Sequence, residues 1–326
     1  MLSARVKTAL KFCPNLPTPP GIAMRIVEMA SEPNLDLGSL AQLLSQDPAL
    51  ASRVVRASNS ALFNWPRPTE NLRQAIVVVG LDATMNLALS FSLSSTLGKG
   101  LTSEQGVNLA WRRALIASSG ARLIGARMNR RDREELALAA LLQDIGILAL
   151  NAALPEEYPP ILDGARDHDD LLRRERESLE TDHGEAGAWL MQTWHLPQKM
   201  ADAAACAHGH CATDLNGSDA VFHSIVACSG RMADLIVGDD AEKLTTQLAL
   251  ACQEVDQMSQ EDLDSLLASL TEVLPETARL YETELMSPTL ITGIIDQARE
   301  ILNTRNLMPG HGSRGRGMTG RGGSFE

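Results

Sequence analysis

Apolar positions recur at helical spacing along almost the whole chain, and the strict alternation of a half-buried strand is nearly absent. Ile22, Ile26 and Met29 share one face of a segment over 22–30, and Leu40, Leu43 and Leu44 share another behind Asp36, which can cap it. Asp47-Pro48 sets a capping carboxylate before a proline at the first helical position, predicting a helix through Leu50, Val54 and Val55 to Asn59. Pro66 and Pro68 mark a loop. The run Ala75-Ile76-Val77-Val78-Val79 taken alone could be a buried strand, but Gly80 ends it and helical patterns flank it, so a buried helix is predicted. Further helices are predicted over 84–97, 105–127, 134–150, 171–179 and 183–194, then from Pro197 and over 219–237. Pro155, Pro159 and Pro160 break the chain between two of them. In the charged segment, Arg173, Arg174, Glu175, Arg176 and Glu177 read as a solvated face.

Ser259 and Asp262 predict a capping box ahead of Leu263, Leu266, Leu267, Leu270 and Leu274. Ser287-Pro288 opens a last helix whose stripe of Leu290, Ile291, Ile294, Ile295, Ala298, Ile301 and Leu302 must be covered by this chain or by a partner. Residues 310–326 are mostly Gly, Arg and Ser, without core-forming side chains, and are read as disordered.

Composition sharpens this picture. The chain has 326 residues, 44% of them hydrophobic but only 3% aromatic, so helix-on-helix packing with Leu and Ala is expected: an all-α protein. A formal net charge of −12 disfavours whole-protein nucleic-acid binding, although Arg314, Arg316 and Arg321 in the tail resemble an RNA-contacting segment. Five cysteines, irregularly placed, do not indicate a disulfide framework. No apolar run approaches the ~20 residues of a membrane span, and residues 1–11 lack the apolar core of a signal peptide. A soluble, cytoplasmic protein without a membrane partner is expected.

The chemistry concentrates at Leu141-Leu142-Gln143-Asp144-Ile145-Gly146. A His-Asp doublet at the end of an apolar helix can hold a divalent metal, because imidazole and carboxylate together suit such ions. Gln143 stands in the place of the histidine, and a neutral amide is a poor ligand. Cys206, His208, His210 and Cys211 offer zinc-type ligands at a spacing unlike the usual fingers, against which ordinary helix-end residues are the plainer account. His168, His195, His223 and His311 show no supporting partners.

Several segments, in order, resemble the HD-related output domain (HDOD), a non-catalytic branch of the HD/HD-GYP phosphohydrolase superfamily. They are Leu16-Pro17-Thr18-Pro19-Pro20, the Asp47-Pro48 helix start, Asn59-Ser60-Ala61-Leu62-Phe63, the segment from Gln74 to Leu81, the Gln143-Asp144 turn, and His183-Gly184-Glu185 followed by Trp194-His195-Leu196-Pro197. The resemblance spans residues 14–235. It implies a two-lobed helical HDOD architecture, with an N-terminal lobe over 14–100 and an HD-like bundle over 101–235. Residues 236–306 would add a C-terminal helical extension, and 307–326 would be a Gly/Arg-rich tail.

Against the ligand pattern of active HD enzymes, Arg113 takes the place of an early histidine and Gln143 that of the doublet histidine, while Asp144, His183 and His208 look retained. Gly209 and Gly230 fall where a further histidine and a late aspartate would be. A vestigial site without metal, cofactor or catalysis is expected, in which Arg113 either pairs with Asp144 in place of the lost metal or lies at the surface. The function implied is a bacterial signal-transduction module that binds signalling proteins in trans, in two-component or cyclic-dinucleotide pathways. The groove between the lobes is the contact surface expected, and Leu290, Ile294 and Ile301 form a second candidate, for self-association as a homo-oligomer. The competing reading is a metal-dependent phosphohydrolase or phosphodiesterase that acts on a nucleotide or cyclic dinucleotide through Asp144, His183 and His208.

Overall fold

A computed structural model describes residues 2–30, 32, 35–60, 63, 66–97, 105–209, 217–255, 258–305 and 307. Every regular element among them is an α-helix. The first group is α1 (Ala4–Phe12), α2 (Gly21–Ala30), α3 (Leu37–Leu44), α4 (Pro48–Ser58), α5 (Leu72–Val79) and α6 (Leu81–Leu97). Asp36, Asp47 and Asn71 cap α3, α4 and α5, each accepting the backbone N–H three residues on, which satisfies donors that a helix start otherwise leaves free. α5 is the helix expected from the valine run, and Gly80 ends it at φ +91°, a conformation that costs a residue without Cβ little. Only Ala75 and Ile76 of that run are buried, whereas Val77 is 69% exposed.

The second group begins with α7 (Gln105–Arg127), α8 (Arg133–Leu142), α9 (Ile145–Ala153), α10 (Tyr158–Asp163) and α11 (His168–Leu179). The apolar stretch predicted over 134–150 is broken at Gln143-Asp144, so the doublet forms the turn between α8 and α9. Pro159 and Pro160 lie within α10, in its first turn, where a missing N–H costs nothing. α12 (His183–Thr193), α13 (Gln198–Cys206) and α14 (Ser218–Val237) follow, and then α15 (Ala241–Glu254), α16 (Gln260–Leu280) and α17 (Pro288–Arg305). The sequence pattern did not predict α15. α7 packs along α8 and α14, and α12 packs on α9 and α13, forming the frame of the site.

Two segments, Arg133–Ala153 and Asp219–Val237, reach the length and hydropathy of a membrane span, which corrects the expectation that no apolar run comes close. Their windows are 78% and 67% buried inside the protein, as befits helices at the centre of a large helical core. The stripe of α17 is largely covered by the chain itself: Ile291, Ile295, Ala298 and Leu302 are buried, while Leu290 is exposed and Ile294 and Ile301 are half-buried. α17 packs on α14, α15 and α16. The tail, with Arg314, Arg316 and Arg321, lies outside the described residues.

Candidate functional site

Four helix ends and two helix faces converge on Asp144. Arg113 comes from α7, and Asp144 from the turn before α9. His168 is the first residue of α11 and His183 the first of α12, each placed by a preceding aspartate, Asp167 or Asp182, whose side chain caps the helix. His208 follows α13, and Asp234 lies on α14. The approach of α9 to α12 depends on Gly146, where a Cβ would lie 1.8 Å from the His183 carbonyl oxygen.

The two oxygens of Asp144 face different neighbours. Oδ2 accepts from Arg113 Nη1, and the same guanidinium donates through Nε to Asp234 Oδ1 at 2.7 Å and through Nη2 to Asp234 Oδ2 at 3.3 Å. All three side chains are at most 5% exposed. Of the two alternatives for Arg113, the pair with Asp144 is the one formed, and it extends to a second carboxylate. Gly230 makes room for it: a Cβ there would lie 3.0 Å from Arg113 Nη2 and 2.8 Å from Gln143 Oε1. Asp234 lies one helical turn beyond Gly230 on α14.

Asp144 Oδ1 is buried and no donor is aligned on it. It lies 3.3 Å from His208 Nε2, 3.5 Å from His183 Nε2 and 3.9 Å from His168 Nε2. His183 Nε2 and His208 Nε2 are 3.0 Å apart, and His168 Nε2 is 3.4 Å from His208 Nδ1. One ligand atom from each of the four residues falls within a 4.8 Å group. A tetrahedral site with bonds of about 2.1 Å has donors about 3.4 Å apart, so these spacings suit one divalent cation. Three imidazoles and a carboxylate suit zinc and other transition metals. One arginine against two aspartates leaves an excess negative charge beside the cluster, so Arg113 does not oppose a cation outright.

The electrostatics favour lone pairs on two of the imidazoles and a proton on the third. Burial raises the Asp144 carboxyl pKa, but Arg113 and the neighbouring His183 and His208 outweigh it and hold the group well below the usual carboxylate range. Burial and the Arg113 charge lower His168 well below the ordinary imidazole value, and burial lowers His208 despite Asp144. Both therefore offer lone pairs at neutral pH. Burial also disfavours charge on His183, yet the Glu175 carboxylate and Asp144 push it up to about 10. A cavity of about 160 Å³ opens beside the cluster, with Arg113, His168 and Asp234 in its lining, Arg231 among them, and Leu162 and Leu244 on its apolar wall.

These positions overturn the expectation of a degenerate, metal-free and non-catalytic site. His168, set aside as unpartnered in the sequence, joins Asp144, His183 and His208 and completes a set that could hold a metal. Gln143 is buried with its amide donating to the Ala140 carbonyl, beside the set and not in it. A signal for His168 was present: Asp167-His168 and Asp182-His183 are the same dipeptide, each at a helix start. Glu175, read as solvated, is fully buried. His210 and Cys211 of the proposed zinc-type cluster, and His311, lie outside the described residues. Leu290, Ile294 and Ile301 on α17 are not among the residues of this cluster or its cavity.

Comparison with known proteins places this geometry in context. A family profile for the HDOD domain matches residues 16–210. An uncharacterized protein of Treponema pallidum (strain Nichols) is 24% identical over 202 residues, which is 61% of this chain and 38% of that protein, so the chain matches well under half of that relative's length. The crystal structure of an HDOD domain protein of unknown function from Geobacter sulfurreducens shares the fold at a TM-score of 0.66 and 23% identity, covering 85% of this chain and 97% of that one. A protein from Shewanella amazonensis SB2B, described as a candidate metal-dependent phosphohydrolase, does so at a TM-score of 0.59 and 21% identity, covering 85% and 96%.

Proposed function

The chain belongs to the HDOD family, related to the HD phosphohydrolases and to signal-transduction proteins, and from the four-residue cluster it carries we propose that it is a metal-dependent phosphohydrolase working in a signalling pathway. The observation that carries the reading is the buried Asp144 Oδ1, without an aligned donor, facing three imidazoles at 3.3–3.9 Å. A divalent cation held by Asp144, His168, His183 and His208 would supply Lewis acidity and an acidified water. Arg113 keeps Asp144 from turning away by holding its other oxygen, and it keeps Asp234 beside the centre. Arg231, at the cavity wall, faces the approach of a phosphate, while Leu109, Leu162 and Leu244 can receive the uncharged part of a nucleotide or cyclic dinucleotide. Its proposed partners are signalling proteins.

The test is hydrolysis of bis(p-nitrophenyl) phosphate and of cyclic dinucleotides with added manganese or zinc. Metal-stimulated turnover that is lost in Asp144→Ala is expected. Turnover absent with every metal, or untouched by the substitution, would reject the reading.

A further inference from the structure

On the side of His183 away from Asp144 lies a polar chain that the hydrolytic reading does not use. Tyr158 Oη donates to Glu175 Oε1 at 2.5 Å. Glu175 Oε2 accepts from His183 Nδ1 at 2.8 Å and from the His183 backbone N–H at 3.0 Å. All three side chains are fully buried. A carboxylate so placed is tolerated only when its lone pairs are met by donors. Here three donors meet it, and among the described residues its ion-pair partner is His183. Burial and the adjacent Glu175 push the Tyr158 phenol well above its ordinary value, so Tyr158 stays a donor.

The helices explain the arrangement. His168 and Glu175 are seven residues apart on α11, two turns along one face, together with the buried Leu171, Leu172 and Leu179. One end of that face therefore supplies a member of the cluster and the middle supports another. Glu175 also meets the first N–H of α12, a donor that no carbonyl within the helix can satisfy, where the helix dipole favours negative charge.

We propose that Glu175, anchored by Tyr158, is a positioning residue for the cation centre: it holds a proton on His183 Nδ1 and so aims Nε2 at the space shared with Asp144, His168 and His208. Carboxylates behind a ligating imidazole fix its orientation and raise its basicity, and losing one weakens metal binding about 10–100-fold. The consequence for metal affinity rests on the hydrolase reading; the position of the proton does not.

Full-length protein with ¹⁵N-labelled histidine separates the two. Long-range ¹H–¹⁵N spectra of the wild type, with or without zinc, should show a downfield, slowly exchanging His183 Nδ1–H. That signal should move upfield and exchange faster in Glu175→Gln. Calorimetric zinc titration should show the dissociation constant raised about 10–100-fold in Glu175→Gln and by a smaller factor in Tyr158→Phe, with unchanged helical circular dichroism. Tyr158→Phe keeps the carboxylate and carries the test if the glutamine variant does not fold. An unprotonated or freely exchanging Nδ1 in the wild type, or zinc affinity equal in all three proteins, overturns the proposal. A wild type that binds no zinc removes the metal centre but leaves the Nδ1 signal to decide whether Glu175 positions His183.

Discussion

Arg113 bridges two buried carboxylates. It sits between Asp144 and Asp234, all three buried, and desolvation is offset only because every charge has a bonded partner. Removing a buried charge's partner typically costs about 3–5 kcal/mol. Arg113→Met, which keeps much of the volume, should lower unfolding free energy by about that amount in urea titrations. A loss within error of zero would mean that the two carboxylates find other donors. At this scale the sequence was legible in part. Asp144 was found from its place after Gln143, whereas Arg113 was left either paired with Asp144 or at the surface, a choice that only its burial decides. Glu175 could not be found, because a glutamate flanked by arginines on a charged helix has the signature of a solvated face, and only the packing of α10 and α12 onto α11 shows that one position points inward. Asp234 was not singled out, because one aspartate on the apolar helix α14 leaves little trace in a periodic pattern.

Elements followed local signals most closely where a cap states the boundary in chemical terms. The capping box of α16 is present as expected: Ser259 accepts the Asp262 N–H, and Asp262 accepts the Ser259 N–H at 3.0 Å. Arg127 Nε adds a third contact from α7 at 2.9 Å, tying the C-terminal helices to the frame of the site. Burial works to raise the Asp262 carboxyl, but the hydrogen bonds from Arg127 and Ser259 win and hold it below its ordinary value. A carboxyl depressed in the folded state contributes stability above its unfolded pKa, near 3.8, and that contribution fades as pH falls through the folded value. Asp262→Asn should therefore cost about 1 kcal/mol at pH 7, and the gap to wild type should close below about pH 4 in denaturation curves at stepped pH. A gap independent of pH would show that Asp262 acts through shape alone. The break between α8 and α9 was less legible: Ala- and Leu-rich sequence runs through it without proline, and the interruption comes where Gly146 lets α12 approach.

At the scale of the molecule, six stretches of chain meet at one cluster: α7, the turn before α9, the starts of α11 and α12, the end of α13, and α14. A cation bound there joins the four stretches that carry Asp144, His168, His183 and His208 and binds only the folded chain, so at 100 times its dissociation constant it should add about 2.7 kcal/mol of stability. Thermal melts with zinc should rise by several degrees, and Asp144→Ala should abolish the rise. An equal rise in the variant would place the metal elsewhere. The C-terminal helices belong to this design. Lys243 and Gln247 of α15 bond Asp167 and Asp169 at 2.7 Å each, the residues on either side of His168, although α15 lies beyond the stretch that matches the family profile.

By itself the sequence determined the helical class, most helix starts and the family, because periodicity, caps and short ordered motifs are local and survive without knowledge of neighbours. Only the tertiary structure decided that the site is furnished and not vestigial. The group that could hold a metal draws on residues 144, 168, 183 and 208, whose meeting depends on helix ends brought together by packing, and no local pattern records which imidazoles will share a single carboxylate oxygen.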